Sequence, residues 1–366
     1  MMADLPDLEV HSLLKSFAGV PAVKGVSFRL GKGEFLSLLG PSGCGKTTTL
    51  RMIAGFVIPD QGWIRLRGQE ITFAPPYRRD VGLLFQSYAL FPHMTVFENV
   101  AFGPKMRGTG KAEIREKVRW ALDLVRLPSV EARKPNELSG GQQQRVAVAR
   151  VLAAGASILL LDEPFSNLDA KLRKHMQEDL RELQLRLGMA TIHVTHDQEE
   201  AMSMSDRLII MNAGQVEQEG TATEIYQDPR TGFVAEFMGR CNTLAAFSAR
   251  VDAASSLVEL ETEAGPLVAS LWPTAGSARA NLRMFVRPEH ISVAPAGTLE
   301  RRANVVPGSL KRCAYLGPST TLHVTLGNGC EIVVQVPNTH AGFAPLEAGM
   351  LVDVHIPPES LKPLHQ

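Results

Sequence analysis

The sequence predicts an α/β domain joined to a smaller all-β domain, and three observations carry that expectation. An apolar run at 34–39 leads into Gly40-Pro41-Ser42-Gly43-Cys44-Gly45-Lys46-Thr47-Thr48, and a helical run over 48–54 follows. A continuous apolar strand at 158–161 ends in Asp162-Glu163-Pro164, ahead of helix-like Ala170–Leu187. From about Asn242 onward the chain breaks into short alternating apolar runs separated by Gly, Pro and Asn. Strands at that spacing, without long helices, read as a small barrel or sandwich.

The 366 residues are too many for one core and suggest about two domains. Hydrophobic residues make up 45% and charged residues 21%, which fits a globular chain. Lys+Arg 38 against Asp+Glu 38 cancels, so no bulk field draws the protein to nucleic acid or anionic lipid. Cys44, Cys241, Cys313 and Cys330 lack CxxC spacing, which argues against a zinc site and fits a reducing compartment. The start, residues 1–7, is acidic and Pro-broken and does not read as a signal peptide. No apolar run approaches the ~20 residues that cross a bilayer, so work at a membrane requires a partner to hold the chain there.

Taken in order, 8–14 and 26–30 read as short strands. Phe17, between them, suits either a nucleotide base or the core. Strand, Gly-rich loop and helix in succession form the context of a phosphate-binding loop. Its glycines let main-chain N–H groups curl around phosphate oxygens, and the helix beginning near Lys46 offers its positive end to the same anion. Lys46 suits the β- and γ-phosphates, and the Thr47 hydroxyl suits Mg²⁺. Cys44 is either a small loop residue or one that alkylating reagents reach. A turn at 59–62, a strand at 63–66 and a buried strand at 81–86 come next. Gln86, at that strand's polar end, either ligates Mg²⁺ and orients water or simply terminates the strand. The aromatic run 88–96 suits buried core or a docking surface for a partner.

Helical periodicity over 111–127 places Ile114, Val118, Ala121, Leu122 and Val125 on one face. Ser139, Gly140, Gly141 and Gln142 then open a helix over 146–153, a second anion-binding geometry in a chain that needs one per nucleotide. A shared site follows from that surplus. Asp162 suits Mg²⁺, held directly or through water. Glu163, on the opposite face of an extended strand end, suits a general base. Ser166–Asp169 forms a polar turn, and a strand at 191–195 leads to His196, which either bonds the γ-phosphate or orients Glu163. A hairpin at 207–220 and helical pieces at 221–226 and 234–238 complete this part. Further strands are expected at 258–261, 282–286, 322–326, 332–336 and 352–356.

These motifs, in this order over residues 8 to 238, resemble the ATPase subunits of ABC transporters. The resemblance covers the phosphate loop Gly40–Thr47, the signature Ser139-Gly140-Gly141-Gln142 and Asp162 with Glu163. It also covers Gln86 as the Q-loop, Asp169 in the D-loop and His196 as the switch histidine. It favours base stacking for Phe17, where the family more often has Tyr. The fold implied is an α/β P-loop NTPase ABC cassette over 1–238, a mixed sheet with helices plus a helical subdomain at about 88–155. A small all-β OB-type (TOBE) domain follows over 239–366, carried by Arg287-Pro288-Glu289. Ala222 departs from the Pro usual after Gly-Thr, which affects only a turn.

The resemblance implies an ATP- and Mg²⁺-dependent hydrolase acting as a head-to-tail homodimer. Each ATP would lie between Lys46, Thr47 and Asp162 of one subunit and Ser139, Gly140 and Gly141 of the other. Also implied are two integral-membrane permease subunits gripped by the 86–96 segment, a periplasmic or extracellular solute-binding protein, and a peripheral location on the cytoplasmic face of the cell membrane. The runs 85–102 and 237–242 look most like spermidine/putrescine importers; ferric-iron, phosphonate and sugar importers have similar runs. A soluble ABC ATPase of DNA repair or translation would pair two cassettes or carry coiled-coil insertions, and this chain has neither. A nucleotide sensor without hydrolysis would not require Glu163 and His196.

Overall fold

The computed structural model describes residues 5–252, 257–272, 280–299, 302–338 and 347–364. The first four residues of the acidic start therefore lie outside it. The chain divides into two compact units, Met1–Ile225 and Tyr226–Gln366, where sequence character alone suggests a division near Gly239–Cys241.

In the first unit the strands are β1 (Leu8–Phe17), β2 (Val20–Leu30), β3 (Phe35–Leu39), β4 (Gln61–Leu66), β5 (Gln69–Glu70), β6 (Val81–Leu84), β7 (Ile158–Asp162), β8 (Ala190–Thr195), β9 (Arg207–Asn212) and β10 (Gln215–Gly220). The helices are α1 (Lys46–Ala54), α2 (Val96–Met106), α3 (Lys111–Leu124), α4 (Gly140–Ala153), α5 (Ala170–Leu187) and α6 (Gln198–Met204), with α7 (Ala222–Gln227) at the division. An antiparallel sheet runs β2-β1-β4-β5, and a larger one runs β10-β9-β3-β8-β7-β6. In the larger sheet β9, β3, β8, β7 and β6 are parallel.

Burial on both faces explains why those parallel strands are apolar throughout. Alternation along each strand sends Leu36, Leu38, Ile158 and Leu160 into one core, shared with α1 and the antiparallel sheet. Phe35, Leu159 and Leu161 enter the other, shared with helices α2 to α5. One buried polar cluster interrupts the pattern. Ser37 Oγ lies 3.0 Å from His193 Nδ1 and 2.6 Å from Ser205 Oγ. His193 Nε2 lies 2.6 Å from Glu200 Oε1 but off the hydrogen-bond axis.

Helix α2 occupies the segment next to the aromatic run, where periodicity predicts none. Thr95 caps it by accepting from Glu98 N at 3.2 Å, while Glu98 accepts from Thr95 N at 2.8 Å. Buried Asn99 ties the preceding loop down, accepting from Phe91 N at 2.8 Å and donating to Thr95 O at 2.9 Å. Among the described residues no helix is long and apolar enough to cross a membrane.

The second unit begins with α8 (Gly232–Phe237) and continues in strands β11 (Asn242–Asp252), β12 (Leu257–Thr262), β13 (Gly265–Ser270), β14 (Ala280–Val286), β15 (Ser292–Pro295), β16 (Val305–Tyr315), β17 (Ser319–Leu326), β18 (Glu331–Pro337), β19 (Leu351–His355) and β20 (Lys362–Leu364). They form sheets β13-β12-β11-β14-β20 and β15-β19-β16-β17-β18 around one core. Arg287, almost wholly buried, donates to Ala235 O at 2.8 Å and Tyr226 O at 3.0 Å, with its guanidinium 4.1 Å from the Tyr226 ring. The Tyr226 hydroxyl donates to Glu289 at 2.5 Å. Burial, then that carboxylate, pushes the phenol up to about 12. Arg287 thus ties both α8 and Tyr226 to the end of β14, and Glu289 adds a second tie to Tyr226.

Candidate nucleotide site

Parallel order brings the candidate residues to one edge. Leu39 pairs with Thr195, Asp162 with Val194, and Leu84 with Leu161. The four strands β3, β8, β7 and β6 therefore finish side by side. Their extensions carry the Gly-rich loop, His196, Asp162 with Glu163, and Gln86. Ligand sites of open parallel sheets form at such carboxyl ends.

The loop Gly40–Thr47 joins β3 to α1. Gly45 caps the helix at φ 100°, and a Cβ there would lie 2.6 Å from Ala22 O. A Cβ on Gly40 would overlap the Met211 carbonyl and the Cys44 sulfur. Lys46, 5% exposed, lies across the loop and donates to Gly40 O at 2.7 Å and Pro41 O at 2.9 Å. Ser42 and Gly43 are exposed, while Thr48 is half-buried in the first turn of α1. Cys44 is only 3% exposed, so reach by alkylating reagents, one of the two sequence expectations for it, does not fit; it packs in the loop.

The Thr47 hydroxyl donates to Asp162 Oδ1 at 3.1 Å. Burial raises the Asp162 carboxyl pKa, and the Thr47 bond opposes that shift. A hydroxyl and one carboxylate at a helix N-terminus are the sparse protein ligand set that Mg²⁺ uses when phosphates supply the rest. Among the described residues no cluster of three His, Cys, Asp or Glu side chains offers an alternative metal site.

Glu163 corrects the extended-strand expectation. Strand β7 stops at Asp162, and Glu163 adopts φ 47°, a left-handed backbone rare outside glycine. Its Oε1 lies 3.3 Å from His196 Nδ1. The structure thus brings His196 to Glu163, the second of the two alternatives for that histidine. Gln86 is displaced as well, in a turn beyond β6 and exposed. Its Nε2 donates to Ser166 Oγ at 3.1 Å, Ser166 Oγ donates to Glu163 O at 3.0 Å, and Asn167 Nδ2 donates to Gln86 O at 3.1 Å. No hydrogen bond joins Gln86 to Thr47 or Asp162 among the described residues. Asp169 caps α5 by accepting from Leu172 N at 3.0 Å. Phe17 is 48% exposed at the end of β1, with Lys15 Nζ 5.6 Å from its ring centre, so it is not a core residue.

Ser139 caps α4, accepting from Gln142 N at 3.4 Å, and Gln142 Oε1 accepts from Ser139 N at 3.0 Å. Ser139 and Gly140 are exposed, Gly141 is buried, and no hydrogen bond joins these four to the Gly-rich loop within the described chain. Sequence reasoning misses Arg173 and Asp197. Arg173 donates to Leu168 O at 3.1 Å and lies 3.6 Å from Asp197, lining a small cavity with Glu163 and His196. Asp197 caps α6, a helix too short to show periodicity, although Asp197-x-x-Glu200 is a readable cap signal.

This edge defines a nucleotide hydrolase, and comparison with known proteins gives its family. The ABC transporter family matches residues 23–166, and the TOBE domain matches 284–363. A spermidine/putrescine import ATP-binding protein, PotA, of Trichormus variabilis is 46% identical over 91% of this chain and 87% of its own. The sulfate/thiosulfate import ATP-binding protein CysA 2 of Chromobacterium violaceum is 44% identical over 97% and 94%. Among solved structures, cbiO1 of Clostridium perfringens, part of an ABC transporter complex, is 30% identical with a TM-score of 0.57 over 60% of this chain and 90% of its own. A dimeric ATP-binding cassette in a post-hydrolysis state with ADP and phosphate is 31% identical with a TM-score of 0.52, over 59% and 98%. The chain belongs to the ATP-binding subunits of ABC transporters and is an ATP-hydrolysing import ATPase with a C-terminal TOBE domain.

Proposed function

We propose that this subunit energises polyamine uptake, working as a head-to-tail homodimer on two membrane permease subunits fed by a solute-binding protein outside the membrane. The observation that carries the dimer is the separation of anion sites: the exposed Ser139 cap makes no bond to its own chain's phosphate loop. A second copy supplies the missing half.

In each half, Phe17 stacks on the base, and Gly40 to Thr48 cradle the phosphates. Lys46 leaves the Gly40 and Pro41 carbonyls for the terminal phosphates. Thr47 and Asp162 would hold Mg²⁺, and Gln86 would join them on giving up its Ser166 bond. Bound there, Mg²⁺ neutralises charge on the phosphates. Glu163 takes the proton of the attacking water on its carboxylate, and His196, with Nδ1 3.3 Å from that carboxylate, fixes its orientation. Ser139, Gly140, Gly141 and Gln142 complete the partner's site, and Asp169 holds the start of α5 beside the seam. The groove lined by Met94, Phe97, Ala101, Phe102 and Ile114, edged by Lys105, supports docking of a permease helix at the peripheral cytoplasmic face.

Ser139→Arg leaves ATP affinity within about twofold and prevents ATP-induced dimers, read by size-exclusion chromatography with light scattering; dimers forming normally would remove the trans role. Polyamine as the solute rests on likeness to PotA proteins and on the 85–102 run. In a vesicle complex reconstituted with permease and binding protein, spermidine or putrescine should raise ATP hydrolysis several-fold. Stimulation by ferric iron, a phosphonate, a sugar or sulfate instead would reassign the solute and leave the ATPase reading standing.

A further inference from the structure

Tyr88 and Ala89 follow Gln86 closely, and both sit in the left-handed backbone region, at φ 60° and 46°. Two consecutive side-chain-bearing residues in that region are strained, and neither is of a type that tolerates it well. The Tyr88 side chain is buried, with its hydroxyl lacking a hydrogen-bond partner. Something outside the turn holds it. Arg150, in the last turn of α4, donates from Nη1 to Ala89 O at 2.7 Å and from Nη2 to Tyr88 O at 3.0 Å. Its guanidinium also lies 5.6 Å from the Phe91 ring centre. No carboxylate pairs with Arg150 among the described residues, so this half-buried cation is committed to two carbonyls of the strained pair.

Helix α4 is the same helix whose first turn is capped by Ser139. Gly140 and Arg150 stand about 15 Å apart along one rod at 1.5 Å per residue. We propose that Arg150 is a positioning residue: it clasps Tyr88 and Ala89 to the signature helix, so that movement of Ser139 onto the partner's ATP is delivered to Gln86 and to the permease-docking segment. A planar fork suits this role, because two diverging carbonyls need two donors in fixed relation, which an ammonium does not present. This inference rests on the nucleotide-site reading given above.

The test uses the full-length protein, with steady-state ATP hydrolysis and hydrogen–deuterium exchange of the peptide spanning 86–92. Arg150→Lys and Arg150→Ala should speed exchange in that peptide about tenfold and lower kcat several-fold, with KM for ATP within twofold. Adding Ala89→Gly, which lets the left-handed turn form without strain, should restore at least half of kcat to Arg150→Ala. A purely structural role for Arg150 would instead lower the melting temperature while kcat, measured well below it, stays at the wild-type value. Unchanged exchange in the Arg150 variants, or no rescue by the second change, overturns the clasp. Lys46→Ala run alongside separates the two readings: normal ATP binding in that variant removes the nucleotide-site assignment, whatever Arg150 does.

Discussion

Glu163→Gln retains ATP and lowers kcat about 10²–10⁴-fold, the range a general base supplies. The substitution is nearly isosteric. It removes the carboxylate's basicity while leaving an oxygen to face His196 at the same place, 3.3 Å from Nδ1. The left-handed backbone at φ 47° is equally strained for Gln and Glu, so folding stability changes little. With hydrolysis blocked and the Ser139 surface intact, ATP-bound dimers accumulate and elute at twice the monomer mass. Phosphate release and chromatography in excess ATP check both results. Turnover at the wild-type rate would take the proton-accepting role away from Glu163.

Lys46→Ala acts a step earlier. A hydrogen bond to a charged partner contributes roughly 1.5–3 kcal/mol, so Kd for ATP rises about 10- to 150-fold. The Gly40 and Pro41 carbonyls also lose their donor, and both bonds are shielded, since Lys46 is 5% exposed. Equilibrium binding of a fluorescent ATP analogue checks the affinity, and a thermal melt separates lost affinity from lost loop structure. Wild-type affinity with an unchanged melt would mean that the ammonium does not meet the phosphates.

Elements with a strong period or a fixed motif are legible in the amino-acid sequence itself. The expected helix Ala170–Leu187 is α5, and the apolar run at 158–161 is β7 with one residue added. Helix α2 is hidden because its start lies in an aromatic stretch and Gly103-Pro104 weakens its end, although Thr95 and Glu98 already spell its cap. In the second unit β11 escapes because Ala245, Ala246, Ser248 and Ala249 dilute the larger apolar residues of Asn242–Asp252, and small residues carry little strand propensity. At the site, residue types are readable and backbone conformation is not. Glu163, Tyr88 and Ala89 occupy a region where only glycine or asparagine would have signalled a turn. The bonds from Arg150 to main-chain carbonyls leave no trace in residue type at the receiving end.

Ala22 and Met211 shape the phosphate loop from outside it. The phosphate loop is wedged between the backbone of Ala22, on the antiparallel sheet, and that of Met211, on the parallel one, each closing the space a side chain would need. Its curvature is therefore inherited from two neighbouring strands and exists before ATP arrives. The backbone of the loop then needs little reshaping by the ligand, whose cost lies in drawing Lys46 off the Gly40 and Pro41 carbonyls. In the proposed head-to-tail dimer, control over when ATP is kept or released then passes away from the loop, to whatever brings the second copy's serine within reach.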